Sequence, residues 1–132
     1  MAVKILLADD DAGFSRMISK KITEIGYTVI TAADGKEALE LIRTQLPDVI
    51  ILDITMPRMD GFTVLEEIRK KPASKKWQPV IMVSGHTDLE NLRKAYNLEA
   101  DHYITKPCKS EDIRKVVEIM VRLIPQRQEN GE

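Results

Sequence analysis

An α/β three-layer sandwich, a parallel sheet between two layers of helices, is the fold this sequence predicts, on three observations. Short β-branched apolar runs alternate five times with segments whose apolar residues recur at helical spacing. The runs are apolar on both faces, as strands covered by helices on each side must be. At 132 residues there is room for one domain with a substantial core, and no internal repeat divides it. Strand followed by helix, five times over, requires right-handed crossovers and hence a parallel sheet.

The first strand is Val3 to Ala8, ending in Asp9, Asp10 and Asp11. Asp11 then serves as N-cap for a helix whose Phe14, Met17, Ile18, Ile22 and Ile25 form one apolar stripe, closed by Gly26. Tyr27 to Ala32 is the second strand, and Asp34-Gly35 opens a helix with Ala38, Leu39, Leu41, Ile42 and Leu46 inward until Pro47. The third strand runs Asp48 to Asp53, and a turn-rich Met56-Pro57-Arg58-Met59-Asp60-Gly61 leads into a helix from Phe62 to Lys71, with Phe62, Leu65 and Ile68 buried. Pro72 stops it. A polar link containing Trp77, to which no chemistry is assigned, precedes the fourth strand at Pro79 to Val83, and a fourth helix runs from about Asp88 to Asn97. His102 to Thr105 is the fifth strand. Ser110 caps a last helix with Ile113, Val116, Val117, Met120 and Ile124 inside, and the polar residues beyond Pro125 are expected to fray. The domain is accordingly drawn at 1–125, with a polar C-terminal tail at 126–132.

Composition excludes several classes of function. Twenty Lys and Arg against 21 Asp and Glu leave a formal net charge of -1, so there is no basic field to draw DNA, and no direct nucleic-acid partner is expected. The single cysteine, Cys108, forms no internal disulfide and no thiolate metal site, which fits a reducing, cytoplasmic setting. Apolar runs such as Val49 to Leu52 and Val80 to Val83 are far too short to span a bilayer, and Met1 to Lys4 does not begin a signal peptide, so no membrane insertion is expected.

In open parallel sheets, sites form beyond the carboxyl ends of the strands. In this sequence those ends carry Asp9, Asp10 and Asp11, then Asp53, then Ser84, then Lys106. Carboxylates gathered from two strands repel one another unless a cation lies between them. Asp10, Asp53 and a backbone carbonyl just past Asp53 suit Mg²⁺, which takes a few oxygen ligands and keeps several waters. Ser84 and Lys106 are poor magnesium ligands but good partners for phosphoryl oxygens. A carboxylate nucleophile flanked by metal, ammonium and hydroxyl is equipped to attack phosphorus and form an aspartyl phosphate.

These segments, Ile5 to Asp11, Asp48 to Asp53, Met56 to Gly61, Val80 to Gly85 and Tyr103 to Pro107, resemble in order and spacing the receiver domains of two-component response regulators, including their chemotaxis-type single-domain members. The resemblance covers about Lys4 to Ile124. It implies a flavodoxin-like (βα)5 doubly wound sheet of order 2-1-3-4-5, and Mg²⁺ held by Asp9, Asp10, Asp53 and the Thr55 backbone carbonyl, with Asp10 the direct ligand of the acidic pair. It implies Asp53 as phosphoacceptor, Ser84 and Lys106 on the phosphoryl oxygens, a cis Lys106-Pro107 bond, and Ser84 with Tyr103 as the switch. A sensor histidine kinase or histidine phosphotransfer protein would supply the phosphoryl group, docking near the first helix. An effector protein would read the face of helix four, strand five and helix five. Such a chain is a signalling domain, not an enzyme with independent turnover.

Thr55 and His86 stand where the resemblance places residues that tune water access, and neither is an acid or amide that orients a water, so a phosphorylated lifetime longer than that of a fast chemotaxis regulator is expected. Isolated histidines, His86 and His102, are read as solvated polar residues and Cys108 as a small core filler. Three other functions are weaker. A flavodoxin-like cofactor binder needs a phosphate loop after strand one, where three aspartates would repel phosphate. A phosphatase of the haloacid dehalogenase type needs an acid two residues after its nucleophile, where Asp53 is followed by Ile54 and Thr55. A degenerate receiver acting only as a phosphorylation-independent protein-binding module is the main alternative, and the intact set of acids, hydroxyl and lysine argues against it.

Overall fold

A computed structural model describes residues 2–85 and 89–130, with side chains up to Pro125. Its elements, in order, are β1 (Lys4–Ala8), α1 (Ala12–Glu24), β2 (Thr28–Ala32), α2 (Gly35–Gln45), β3 (Val49–Asp53), α3 (Gly61–Lys70), β4 (Val80–Ser84), α4 (Leu89–Asn97), β5 (His102–Thr105) and α5 (Ser110–Asn130). The five strands are all parallel, in the order β2-β1-β3-β4-β5.

Alternation along the central strands divides the core in two. Leu6, Ala8, Ile50, Leu52, Val80 and Met82 face one side, under Ala38 and Ile42 of α2, Phe62, Leu65 and Ile68 of α3, and Ala95 of α4. Ile5, Leu7, Val49, Ile51, Ile81 and Val83 face the other, under Ile18 and Ile22 of α1 and Ile113, Val117 and Ile124 of α5. This explains why the strand sequences are apolar without alternation.

Three helices begin on aspartates that accept the N–H three residues on: Asp11 from Phe14, Asp34 from Glu37 and Asp60 from Thr63. Glu37 also reaches back to the Ala33 N–H at 2.8 Å. Gly26 follows α1 with φ of 97°, a conformation that favours glycine.

Several readings of the apolar pattern are corrected. Met17, placed in the stripe of the first helix, is 43% exposed, because α5 and the sheet cover only the Ile18 and Ile22 side. Leu46 does not face inward. It caps α2 in the left-handed conformation and stands largely exposed, while Pro47 behind it is buried. Ser110 lies inside α5, where the cap contact is made instead by Asp112, whose carboxylate accepts the Lys109 N–H at 3.1 Å. The helix also runs on past Pro125 to Asn130, although Pro125 offers no N–H to the preceding turn. Asp88, expected to start the fourth helix, and His86 lie outside the described residues.

Candidate active site

Because the strands are parallel, the residues closing β1, β3, β4 and β5 meet at one edge. Asp9 directly follows β1, and its carboxylate is nearly sealed from solvent. One oxygen accepts the Asp11 N–H at 2.8 Å, and the other accepts the Lys106 ammonium at 2.8 Å. Asp53 closes β3 and is also buried. Its Oδ2 lies 3.7 Å from Lys106 Nζ, and its Oδ1 accepts a long bond, 3.4 Å, from the Thr55 N–H. Asp10 stands exposed at the rim. Carboxylate oxygens of Asp9, Asp10 and Asp53 lie within 4.8 Å of one another, so this acidic triad can hold a metal ion.

The backbone holds these groups in register. Ser84, buried at the end of β4, accepts the Lys106 N–H on its carbonyl at 2.7 Å, which ties the lysine to the neighbouring strand end. The Lys106-Pro107 peptide bond is cis, as the resemblance implied. Behind Asp53 the chain passes so close to α3 that only glycine fits. A Cβ on Gly61 would come within 2.3 Å of the Asp53 carbonyl oxygen, and the Gly61 N–H donates to the Ile54 carbonyl at 2.8 Å.

Burial is the main reason the Asp53 carboxyl is pushed up to about 6, and the nearby Asp9 charge adds to it. Lys106 and the Thr55 N–H act in the opposite direction without cancelling the rise. For Lys106, burial pulls the ammonium down, but its hydrogen bond to Asp9 and the charge of Asp53 more than offset this, so it stays protonated above its usual range. Burial, then Asp112, pushes the Cys108 thiol up, away from a reactive thiolate. The half-buried Cys108 packs against the α1/α5 core, in keeping with a filler.

The donor set fits a hard cation: among the described residues it is three carboxylates in reach of one centre, with no thiol or imidazole. A cleft of about 430 Å³ opens beside Asp9 and Asp10, bounded by Ser15, Arg16, Thr31 and Glu37. Thr55 is exposed two residues beyond Asp53. Tyr103 lies in β5 opposite Met82, half-buried against the core under α2, α3 and α4. Phe14 belongs to the site and was read only as part of an apolar stripe. Its ring lies 4.3 Å from Lys106 Nζ. Its place three residues after the Asp11 cap, on the turn facing the acids, is the signal that could have found it.

Residues 5–118 match the response regulator receiver domain family. A probable transcriptional regulator, ycf27, of Guillardia theta is 37% identical over 119 residues, covering 90% of this chain and 45% of that protein. The alkaline phosphatase synthesis transcriptional regulatory protein PhoP of Bacillus subtilis is 33% identical, covering 92% of this chain and 50% of its own length. The chain thus spans about half the length of the curated relatives it matches. Among solved structures, the receiver domain of the Francisella response regulator 1452 superposes with a TM-score of 0.84 at 37% identity, covering 91% of this chain and 97% of that one. The chemotaxis response regulator CheY4 of Vibrio cholerae gives 0.83 at 32%, covering 91% and 99%.

Proposed function

This chain belongs to the response regulator receiver domain family, a signalling module of two-component systems, and from that premise we propose that Asp53 is its phosphoacceptor. The observation that carries this reading is the triangle of Lys106, Asp9 and Asp53, in which one ammonium lies 2.8 Å from one buried carboxylate and 3.7 Å from the other. A receiver has a kinase as its partner. In the finer reading, the donor is a phosphohistidine on a sensor histidine kinase or a histidine phosphotransfer protein, approaching over the cleft beside α1.

An oxygen of ionised Asp53 attacks phosphorus, an O–P bond forms, and the P–N bond to the donor imidazole breaks. The departing nitrogen keeps the electron pair and takes a proton from solvent. Lys106, moving along the line from Asp9 toward Asp53, gives its ammonium to a phosphoryl oxygen, and the Ser84 hydroxyl donates to another, so charge gathering on the group meets donors already in place. Asp9, Asp10, Asp53 and the Thr55 carbonyl are the proposed Mg²⁺ ligands, and the bound ion would neutralise phosphoryl charge. Movement of Ser84 toward the phosphoryl group, followed by Tyr103, would change the α4, β5 and α5 face, which an effector protein reads. We place the receiver at residues 1–125, with 126–132 a polar extension in which α5 continues to Asn130, and its working place in the cytoplasm. Among the described residues, no helix is long and apolar enough to cross a membrane.

The test is intact-mass measurement after incubation with Mg²⁺ and acetyl phosphate. One phosphoryl adduct is expected on the wild type and none on Asp53→Asn. No adduct, under conditions that phosphorylate a known receiver, would favour a phosphorylation-independent binding module.

A further inference from the structure

We propose that Phe14 is a positioning residue that holds the Lys106 ammonium between Asp9 and Asp53. The inference deepens the phosphoacceptor reading and rests on it for its catalytic consequence, although the contact itself does not.

Lys106 meets three groups around its ammonium: Asp9 at 2.8 Å, Asp53 at 3.7 Å, and the face of the Phe14 ring at 4.3 Å from its centroid. The two acids lie on the sheet side and the ring on the α1 side. A cation over an aromatic face is attracted by the ring's negative quadrupole, more strongly where water is partly excluded. Lys106 is such a case, with its side chain 24% exposed. An aliphatic side chain would fill the same space with no attraction for charge.

The placement of the ring is itself fixed by the acids it serves. Asp9 accepts the Asp11 N–H at 2.8 Å, and Asp11 in turn accepts the Phe14 N–H at 3.1 Å as the cap of α1. Phe14 then returns to Lys106, and Lys106 to the second oxygen of Asp9. The contacts form a closed circuit, so Asp9 sets the position of the ring as well as that of the ammonium. A lysine on a flexible four-carbon stem otherwise swings readily into water. With the α1 side covered, its remaining freedom is along the line between Asp9 and Asp53, which is the line on which a phosphoryl oxygen bound to Asp53 would meet it. Fixing a charged donor along that line lowers the ordering needed at the moment of reaction.

The experiment compares wild type with Phe14→Leu, which keeps an apolar side chain of similar bulk, and Phe14→Tyr, which restores an aromatic face. The first readout needs neither metal nor phosphodonor. The ¹H–¹⁵N signal of the Lys106 ammonium, assigned by its absence in Lys106→Arg, is expected in the wild type and Phe14→Tyr and exchange-broadened away in Phe14→Leu. The second is phosphorylation by acetyl phosphate, a donor too small to report a protein docking surface. At saturating donor and Mg²⁺ the Phe14→Leu rate is expected to fall about two- to fivefold. Phe14→Tyr should recover it, and the half-saturating Mg²⁺ should change less than the rate. An ammonium signal as sharp in Phe14→Leu as in the wild type overturns the proposal, as does an unchanged rate. A wild type that takes no phosphoryl group overturns the phosphoacceptor reading instead, and the ammonium signal still decides what Phe14 does.

Discussion

Asp53 sits in a place that favours its uncharged form, and this has a thermodynamic signature. Its folded-state value of about 6 lies above the ordinary 3.8 of the unfolded chain. Between those two values the folded protein binds more protons than the unfolded one, so stability falls as pH rises through this window and the loss is complete above about 6. Without metal, Asp53→Asn is therefore expected to be more stable than wild type at pH 7.5, by about 3 kcal/mol. The gain should shrink to nothing below about pH 4, and thermal melts of both proteins across that range check it. Lys106→Met acts in the opposite sense. It leaves Asp9 and Asp53 facing each other without a cation, and should cost about 2 kcal/mol in metal-free buffer, much of it regained when Mg²⁺ is added. These charged residues were legible in the sequence because each stands where an apolar strand ends, and a parallel sheet brings such ends together. Phe14 was not, since its spacing fits a core stripe and only the fold reveals that one face of the ring meets an ammonium.

At the scale of elements, the caps and crossovers decide how firmly the site is held. The Asp60 cap orders the first turn of α3, the same turn whose Gly61 packs against Asp53. Asp60→Ala should lower stability by about 1 kcal/mol, a shift of a few degrees in a thermal melt. Gly61→Ala should cost more, since its Cβ would overlap backbone that cannot yield without moving Asp53, and it should slow phosphorylation as well. Arg69 of α3 binds the Gln78 and Glu99 carbonyls and the Asp101 carboxylate, while Asp101 also accepts the Val80 N–H. Element order and strand limits followed from apolar periodicity to within a residue or so. What periodicity could not supply was the direction from which each helix is covered. Met17 and Leu46 fit an amphipathic stripe, but the sheet and α5 reach one side of α1, and the left-handed cap turns Leu46 outward. For α5 the pattern placed a stop at Pro125, whereas the helix continues through it.

For the molecule as a whole, the two halves of the core are unequally shared among the helices. Ile18 and Ile22 anchor α1, and α3 is held by Phe62, Val64, Leu65 and Ile68, whereas α4 buries Ala95 alone. Leu89 and Tyr96 of α4 stand well exposed, and Lys94 stretches over the Phe62 ring at 4.7 Å. Local opening free energies follow buried apolar contact, so the molecule is expected to come apart in order rather than all at once. In native-state hydrogen exchange, the amides of α4 should exchange by a local opening well below the global unfolding free energy. Those of β1 and β3, sealed on both faces, should exchange only with global unfolding. The consequence reaches past stability. An element so lightly fastened can be displaced by a small free-energy difference; were Asp53 phosphorylated as proposed, a few kcal/mol reaching α4 would be enough to redistribute its populations while the central strands keep one arrangement. On the proposed phosphoacceptor reading, the sheet would be the fixed frame of an instrument, and α4 its pointer.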